Sequence, residues 1–254
     1  MLSYQKIFLS TAAIAGIAAI AAPANALSLK AEKYGDLFDT FNSLVNQERF
    51  QLADSEIALK ELDVESLRWS GGADSVDVFF INEGAGFRNQ LFYTANGGPL
   101  VTIFDDVSSP DSILKNSDGP LALGDGVRLG MFEGDTSLDF VIRANGKNNP
   151  NGHLYGASAA ENPDGLQHVI AYEYFDESTG ENWVIMGFED LFGVHTSEGG
   201  HSDRDFNDAV FAVRGITGAR VEPSADVPEP SAMVGLLGLG LGMWQVKRRK
   251  SDNA

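Results

Sequence analysis

The densest chemistry in the chain lies in GFEDLFGVHTSEGGHSDRDFNDAVF, residues 187–211. Glu189 and Asp190 close one apolar run, and Asp203, Asp205, Asn207 and Asp208 open the next. If the two runs are neighbouring strands, the connecting loop returns all six oxygen-bearing side chains to one end of a sheet. Carboxylates held so close share protons, pair with cationic side chains or bind a metal. Arg204 is the only lysine or arginine in the segment and cannot neutralise five carboxylates, so a bound cation is the economical solution.

The ligand type narrows the cation. All six candidates offer oxygen, which suits Ca²⁺ with its 6 to 8 hard ligands. Asp203, Asp205 and Asn207 reproduce the D-x-D-x-N opening of an EF-hand loop. Asp208 then stands where that loop needs glycine and Arg214 where it needs a bidentate glutamate, so a loop–strand corner is expected instead. The competing reading is an acidic turn whose Asp and Asn side chains cap their own backbone. His195 and His201 flank the loop and, with Asp203 or Asp205, could make a Zn²⁺ or Fe²⁺ site. No spacing holds both imidazoles on one rigid element. His153 and His168 read as a loop residue and a sheet residue without chemistry.

A second polar cluster is INEGAGFRNQLFYT, residues 81–94. Read as a hairpin, it pairs Glu83 with Arg88. Read more sharply, Asn82 and Glu83 join the acidic corner as further ligands. Gly84-x-Gly86 lacks the third glycine and the Lys-Ser/Thr of a phosphate loop. For catalysis, Glu189 and Asp205 could act as an acid/base pair in the manner of glycosidases, but no catalytic residue is committed. A G-x-S-x-G elbow is missing, which argues against a serine nucleophile.

The elements that must position these groups are mostly strands. Val76–Ile81, Asn89–Thr94, Leu100–Phe104, Ser137–Arg143, His168–Phe175, Asn182–Phe188 and Asp208–Arg214 are β-rich runs between Gly, Asn and Asp clusters, with a weaker run within Ile57–Trp69. Seven to nine strands with few helices predict a mainly β protein, an antiparallel, jelly-roll-like β-sandwich. In Ala31–Phe50, Phe38, Phe41, Leu44 and Val45 recur at helical spacing, predicting one short amphipathic helix that caps an open end of the sandwich. Long polar loops, Asp105–Gly126 and Asn145–Gly165, are expected to gather where the site is. Trp69 and Trp183 could stack on sugars, although aromatic residues in strands more often fill a core.

Composition sets the boundaries of these readings. The 254 residues carry 36 Asp+Glu against 18 Lys+Arg, a net charge of -18, which argues against nucleic-acid and anionic-lipid partners. Zero cysteines exclude disulfides, thiolate metal sites and cysteine nucleophiles. At the N-terminus, Lys6, the apolar stretch Ile7–Ala22, Pro23 and Ala24-Asn25-Ala26 have the layout of a secretory signal peptide, residues 1–26, cut by signal peptidase after Ala26. At the C-terminus, Pro228-Glu229-Pro230 precedes an apolar segment, Ala232–Val246, and the cluster Lys247-Arg248-Arg249-Lys250. That segment is short and glycine-rich for a membrane helix, and its cations would stay on the cytoplasmic side. Both ends are poor in acids, so residues 27–226 hold 34 acids and 13 bases, more acidic than the whole chain.

Two resemblances add to this. V-P-E-P-S-A, a short apolar run and K-R-R-K resemble the PEP-CTERM sorting signal of Gram-negative bacteria over residues 228–254. That resemblance implies recognition of Pro228-Glu229-Pro230 by an exosortase, transient anchoring in the inner membrane and delivery to the surface or extracellular polymer. G-F-E-D-L followed by D-R-D-F-N-D-A-V-F resembles the end of the domain-of-unknown-function family 4114, over about residues 120–214. The match rests on Gly187, Phe188, Glu189, Asp190, Asp203, Asp205, Phe206, Asn207 and Asp208, and N-E-G-A-G-F-R-N-Q-L resembles a part seen in cyanobacterial members. This second resemblance implies a secreted bacterial protein and no established reaction. The expected organisation is a signal peptide, a helical cap at 27–56, a β-sandwich at 57–220, a linker at 221–227 and the sorting signal. The expected role is an exported, Ca²⁺-stabilised module of the cell surface or extracellular matrix, structural or adhesive, with extracellular polysaccharide as its partner. The alternative is an extracellular hydrolase of a glycan or ester, using Glu189 and the Asp203–Asp208 carboxylates.

Overall fold

The computed structural model describes residues 26–45, 59–72, 75–114 and 118–221. Ala24 of the cleavage site and the sorting residues Pro228, Glu229, Pro230, Lys247, Arg248, Arg249 and Lys250 lie outside them. Thirteen strands are formed among the described residues: β1 (Ala26–Ser28), β2 (Lys60–Leu62), β3 (Arg68–Trp69), β4 (Val76–Asn82), β5 (Asn89–Ala95), β6 (Val101–Val107), β7 (Asp125–Gly130), β8 (Leu138–Arg143), β9 (Leu154–Tyr155), β10 (Val169–Asp176), β11 (Glu181–Phe188), β12 (Ala209–Arg214) and β13 (Ile216–Thr217). They build a seven-stranded sheet in the order β1-β7-β4-β12-β11-β10-β2, a four-stranded sheet β6-β5-β8-β9 and the small pair β13-β3. Every strand pairing is antiparallel. The antiparallel sandwich expected from the strand pattern is present, and each of the seven expected strands lies within a few residues of its observed span.

Alternation of side chains across the sheet explains the layers. Phe80 of β4 and Phe211 of β12 lie on one face, 5.9 Å apart, and Phe104 of the four-stranded sheet stacks on Phe211 at the same distance. That is the core between the sheets. Phe79 and Trp183 point to the opposite face, where Tyr34 and Phe41 of the N-terminal segment meet them edge-on or tilted. Trp183 is fully buried there, which removes it as a sugar-stacking residue.

The helix differs from the expectation. Among the described residues of Ala31–Phe50 only Leu37–Asn42 is α-helical (α1), preceded by a 3-10 turn at Glu32–Tyr34, and residues 46–50 lie outside the described residues. The Ser43 hydroxyl donates to the Thr40 carbonyl at the helix end, an alternative partner for the backbone that favours stopping. Phe38, Phe41, Leu44 and Val45 are buried as the periodicity requires. The segment covers the outer face of the seven-stranded sheet, with Phe41 against Tyr174 and Trp183, and does not close an end of the sandwich.

Two expected loops also contain strands. Residues 105–107 belong to β6 and Asp125 and Gly126 to β7, and β9 interrupts 145–165. β7 reads poorly as a strand because of its glycines. Gly126 is required: a Cβ there would lie 2.4 Å from the Phe79 ring.

Strand directions place the connections. β11 ends at Phe188 and β12 begins at Ala209, so segment 189–208 emerges at one end of the sandwich. β4 ends at Asn82 beside the start of β12, and Asn89 of β5 pairs with Val107 of β6 at the same end. The opposite end carries the β10–β11 turn and the exit of β12 at Arg214, which pairs with Trp183 and Asp77.

Candidate metal centre

The strand pair β11–β12 brings Glu189 and the Asp203–Asp208 run together. A parallel bridge between Phe188 and Asn207 fixes the return of the loop. Carboxylate oxygens of Glu189, Asp203 and Asp205 lie within 4.8 Å of one another. Glu189 is fully buried, Asp205 half-buried and Asp203 exposed, so the group has a closed inner side and an open outer side. Glu189 Oε1 accepts the Leu191 amide at 3.3 Å, while Oε2 is buried with no hydrogen-bond partner among the described residues. A buried carboxylate oxygen left without a donor is costly unless a proton or a cation meets it.

Local backbone shape aims these groups. Arg204 and Phe206 both have positive φ, 56° and 58°, a conformation costly for residues with a Cβ. Phe206 is fully buried and Arg204 lies over its ring at 5.0 Å, so packing holds the kinked backbone on either side of Asp205. Asn207 donates its amide to Asp205 Oδ1 at 3.1 Å and its side-chain nitrogen to Asp205 Oδ2. These two bonds orient Asp205. Gly84 explains the space Asn207 occupies, since a Cβ there would lie 2.1 Å from the Asn207 side-chain oxygen.

Asp190 and Asp208 form a layer behind this group. Asp208 Oδ2 accepts the Asp190 amide at 2.7 Å, and Asp190 Oδ2 accepts the Asn89 side chain at 2.7 Å. Burial, opposed by hydrogen bonds from Asn89 and Asp208, raises Asp190 to about 6. Burial and the charges of Asp190 and Glu189 push Asp208 far higher. A hydrogen bond between two carboxyl groups needs one proton, and Asp208 is the group that keeps it. Burial, opposed by a hydrogen bond from Ser202 and reinforced by the charge of Asp203, raises Glu189 to about 7.

His168, which the sequence pattern leaves without chemistry, anchors the site. It is fully buried, with Nδ1 2.8 Å from the Glu189 carbonyl and Nε2 3.0 Å from Asp164 Oδ2. Both partners accept, so both contacts are filled together only by the doubly protonated ring, although burial pulls its pKa down. The Tyr155 ring stacks on it at 3.7 Å, and Asp164 also accepts the Gly193 amide, tying down the loop after Glu189. In sequence these partners are separated by loops, and no spacing marks them.

The other candidates lie elsewhere. Glu83 is buried and accepts the Ser109 amide at 3.0 Å. Arg88 binds Asp106 and Asp118 directly, and Glu83 acts on it through its charge. His195 caps its own turn through Ser197, and His201 is exposed. Among the described residues neither histidine joins the carboxylate group.

Residues 132–216 match the model of a family described as Domain of unknown function (DUF4114). The match runs from just before β8 to β13 and contains the whole acidic corner with its His168 anchor. It covers less than half of the chain, and its description assigns no activity. Comparison with curated proteins and with solved structures returns no match.

Proposed function

We propose that the chain is an exported β-sandwich module whose acidic corner binds Ca²⁺ through Glu189, Asp203 and Asp205. In this reading it serves a structural or adhesive role at the cell surface or in the extracellular matrix. The observation that carries the metal reading is the convergence of carboxylate oxygens of Glu189, Asp203 and Asp205 within 4.8 Å of one another, on a glutamate whose buried Oε2 has no hydrogen-bond partner among the described residues. The donors are all oxygen, which suits Ca²⁺ over Zn²⁺. The open side at Asp203 leaves room for waters to complete a shell of 6 to 8 ligands. A cation there would also offset the burial and the Asp203 charge that raise Glu189. The hydrolase alternative is weaker because Glu189 is 0% exposed, and a general acid must reach its substrate.

Calcium titration followed by thermal melting tests this directly. At a concentration of 100 times Kd a single site adds about 2.7 kcal/mol, a rise of several degrees for a domain of this size. A melting temperature unmoved by millimolar Ca²⁺ and by chelator removes the proposal.

The export reading rests on the two ends of the sequence: the signal-peptide layout through Ala26 and the Pro228-Glu229-Pro230 tail. No helix among the described residues is long and apolar enough to cross a membrane. Sorting by an exosortase predicts a mature C-terminus lacking Lys247–Lys250 in the native host. Mass spectrometry that finds those four residues retained refutes cleavage.

A further inference from the structure

At the end of the sandwich away from the acidic corner lies a cavity of about 760 Å³. Ser70, Ser75, Arg128, Glu181, Asn182, Arg214 and Thr217 supply its polar lining, with Gly180 and Gly215 at its edge. β11 separates the two sites: Asn182 lines the cavity and Glu189 follows the far end, roughly 23 Å along an extended strand.

The cavity wall is pre-organised. Asp77, fully buried, binds Arg128 through Nε at 2.7 Å and Nη2 at 3.0 Å, and Arg214 through Nε at 3.0 Å and Nη2 at 2.7 Å. Ser75 adds a hydroxyl donor to Asp77 at 3.1 Å, and Arg214 Nη1 binds Glu181 Oε1 at 2.9 Å. Arg214 is therefore fully committed. Arg128 is not: its side chain is 36% exposed, and its Nη1 donors have no partner among the described residues. The exposed side chains of Asn182 and Thr217 add a donor and acceptor pair and a hydroxyl.

Among the described residues the formal charges in the wall cancel, with Arg128 and Arg214 against Asp77 and Glu181. The surrounding domain is strongly acidic, so an anionic ligand would approach against its field with one uncommitted guanidinium edge as its reward. A neutral ligand meets no such barrier. Donors and acceptors interleaved around the wall suit groups that both donate and accept, as vicinal hydroxyls do. The volume lies within the range of small-molecule sites, ~300–1,000 Å³.

We propose that this cavity binds a neutral oligosaccharide, with Arg128 Nη1, Asn182 and Thr217 as the recognising groups. The site is separate from the acidic corner and does not depend on a metal being bound there.

The test is calorimetric titration of the full chain with cellohexaose, xylohexaose, mannohexaose and laminarihexaose, with oligogalacturonate as the charged arm. Each titration is run in Ca²⁺ and again in chelator. Binding of at least one neutral oligosaccharide under both conditions is expected. Asn182→Ala and Thr217→Val, both on the rim, should each weaken it by about tenfold with unchanged melting temperature. Arg128→Lys keeps a cation beside Asp77 while removing the Nη1 donors, and should weaken binding at least as much. Four outcomes overturn the proposal: no binding of any neutral oligosaccharide at millimolar concentration, preference for oligogalacturonate, affinity untouched by the rim variants, or binding lost in chelator while the protein stays folded. The last would move the ligand to the acidic corner, and none of them bears on whether Ca²⁺ binds there.

Discussion

Asp77 and Glu189 are both fully buried carboxylates, placed at opposite ends of one seven-stranded sheet, and their surroundings are opposite. Asp77 sits between two guanidiniums on neighbouring strands, in register with Arg128 of β7 and Arg214 of β12. Burial pushes it upward, but the hydrogen bonds from Arg128 and Arg214 outweigh that and hold it below the ordinary carboxylate range. Glu189 has Asp203 and Asp205 beside it, and burial first, then the charge of Asp203, pushes it up to about 7. Arg204 is near enough to lower it somewhat, yet it also reaches to the Gln167 carbonyl. The sheet thus neutralises one buried acid with its own cations and leaves the other end acidic. A fold that sets two arginines against one buried acid at one end and a single arginine among five carboxylates at the other has an acidic end suited to a cation from outside.

The largest expected effect breaks the satisfied end. Asp77→Ala leaves two partly buried guanidiniums without their anion and should destabilise the protein by about 3 kcal/mol. Urea unfolding midpoints measure this, and Asp77→Asn, which keeps the size, should behave nearly as badly. A loss below about 1 kcal/mol would mean that solvent serves the arginines as well as Asp77 does, and the contrast between the two ends would fail.

Glu189→Gln probes the other end and should have the reverse sign in metal-free buffer. Removing a crowded buried charge leaves stability unchanged or higher. In saturating Ca²⁺ the variant should lose most of the roughly 2.7 kcal/mol that the wild type gains at 100 times Kd. If Glu189→Gln is destabilised equally with and without Ca²⁺, its carboxylate has a purely structural role.

These two regions were not equally legible in the sequence. The acidic corner shows itself because its members cluster within residues 187–211 and only one strand pairing is needed to join them. Which of them converge was hidden: Asp190 and Asp208 look equivalent to Asp203 and Asp205 but turn inward to Asn89 and the backbone. The Asp77 network was invisible because Arg214 lies 137 residues away and Arg128 sits on β7, whose glycines conceal the strand. Glycine reads as a breaker in a pattern, whereas Gly126 is there to admit the Phe79 ring. His168 was missed for a related reason, since one histidine opening an apolar strand gives no hint that Asp164 and the Glu189 carbonyl will meet it. The strands with long apolar runs, Val78–Ile81 in β4 and Ala209–Val213 in β12 above all, needed no such partners to be found.

The smallest effect at any one condition is a drift with pH, and it has opposite signs at the two ends. Asp77 has a lowered folded pKa, so its contribution is present above its unfolded value, about 3.9, and is lost as pH falls through the lower folded value. Glu189 and Asp190 have folded values raised to about 7 and about 6, so the folded state binds more protons than the unfolded chain between about pH 4 and pH 7. Their contribution is present below the unfolded values and lost as pH rises through the folded ones. In metal-free buffer the protein should therefore be most stable near pH 4 and weaken steadily toward neutrality. Saturating Ca²⁺ should reverse the upper slope, because a bound cation favours the ionised carboxylates that protons otherwise compete for. Chemical denaturation at unit pH intervals, with and without Ca²⁺, reads both slopes. A metal-free profile that rises from pH 5 to pH 8 would show that the corner ionises freely on folding, and that the two ends of the sheet treat their buried acids alike.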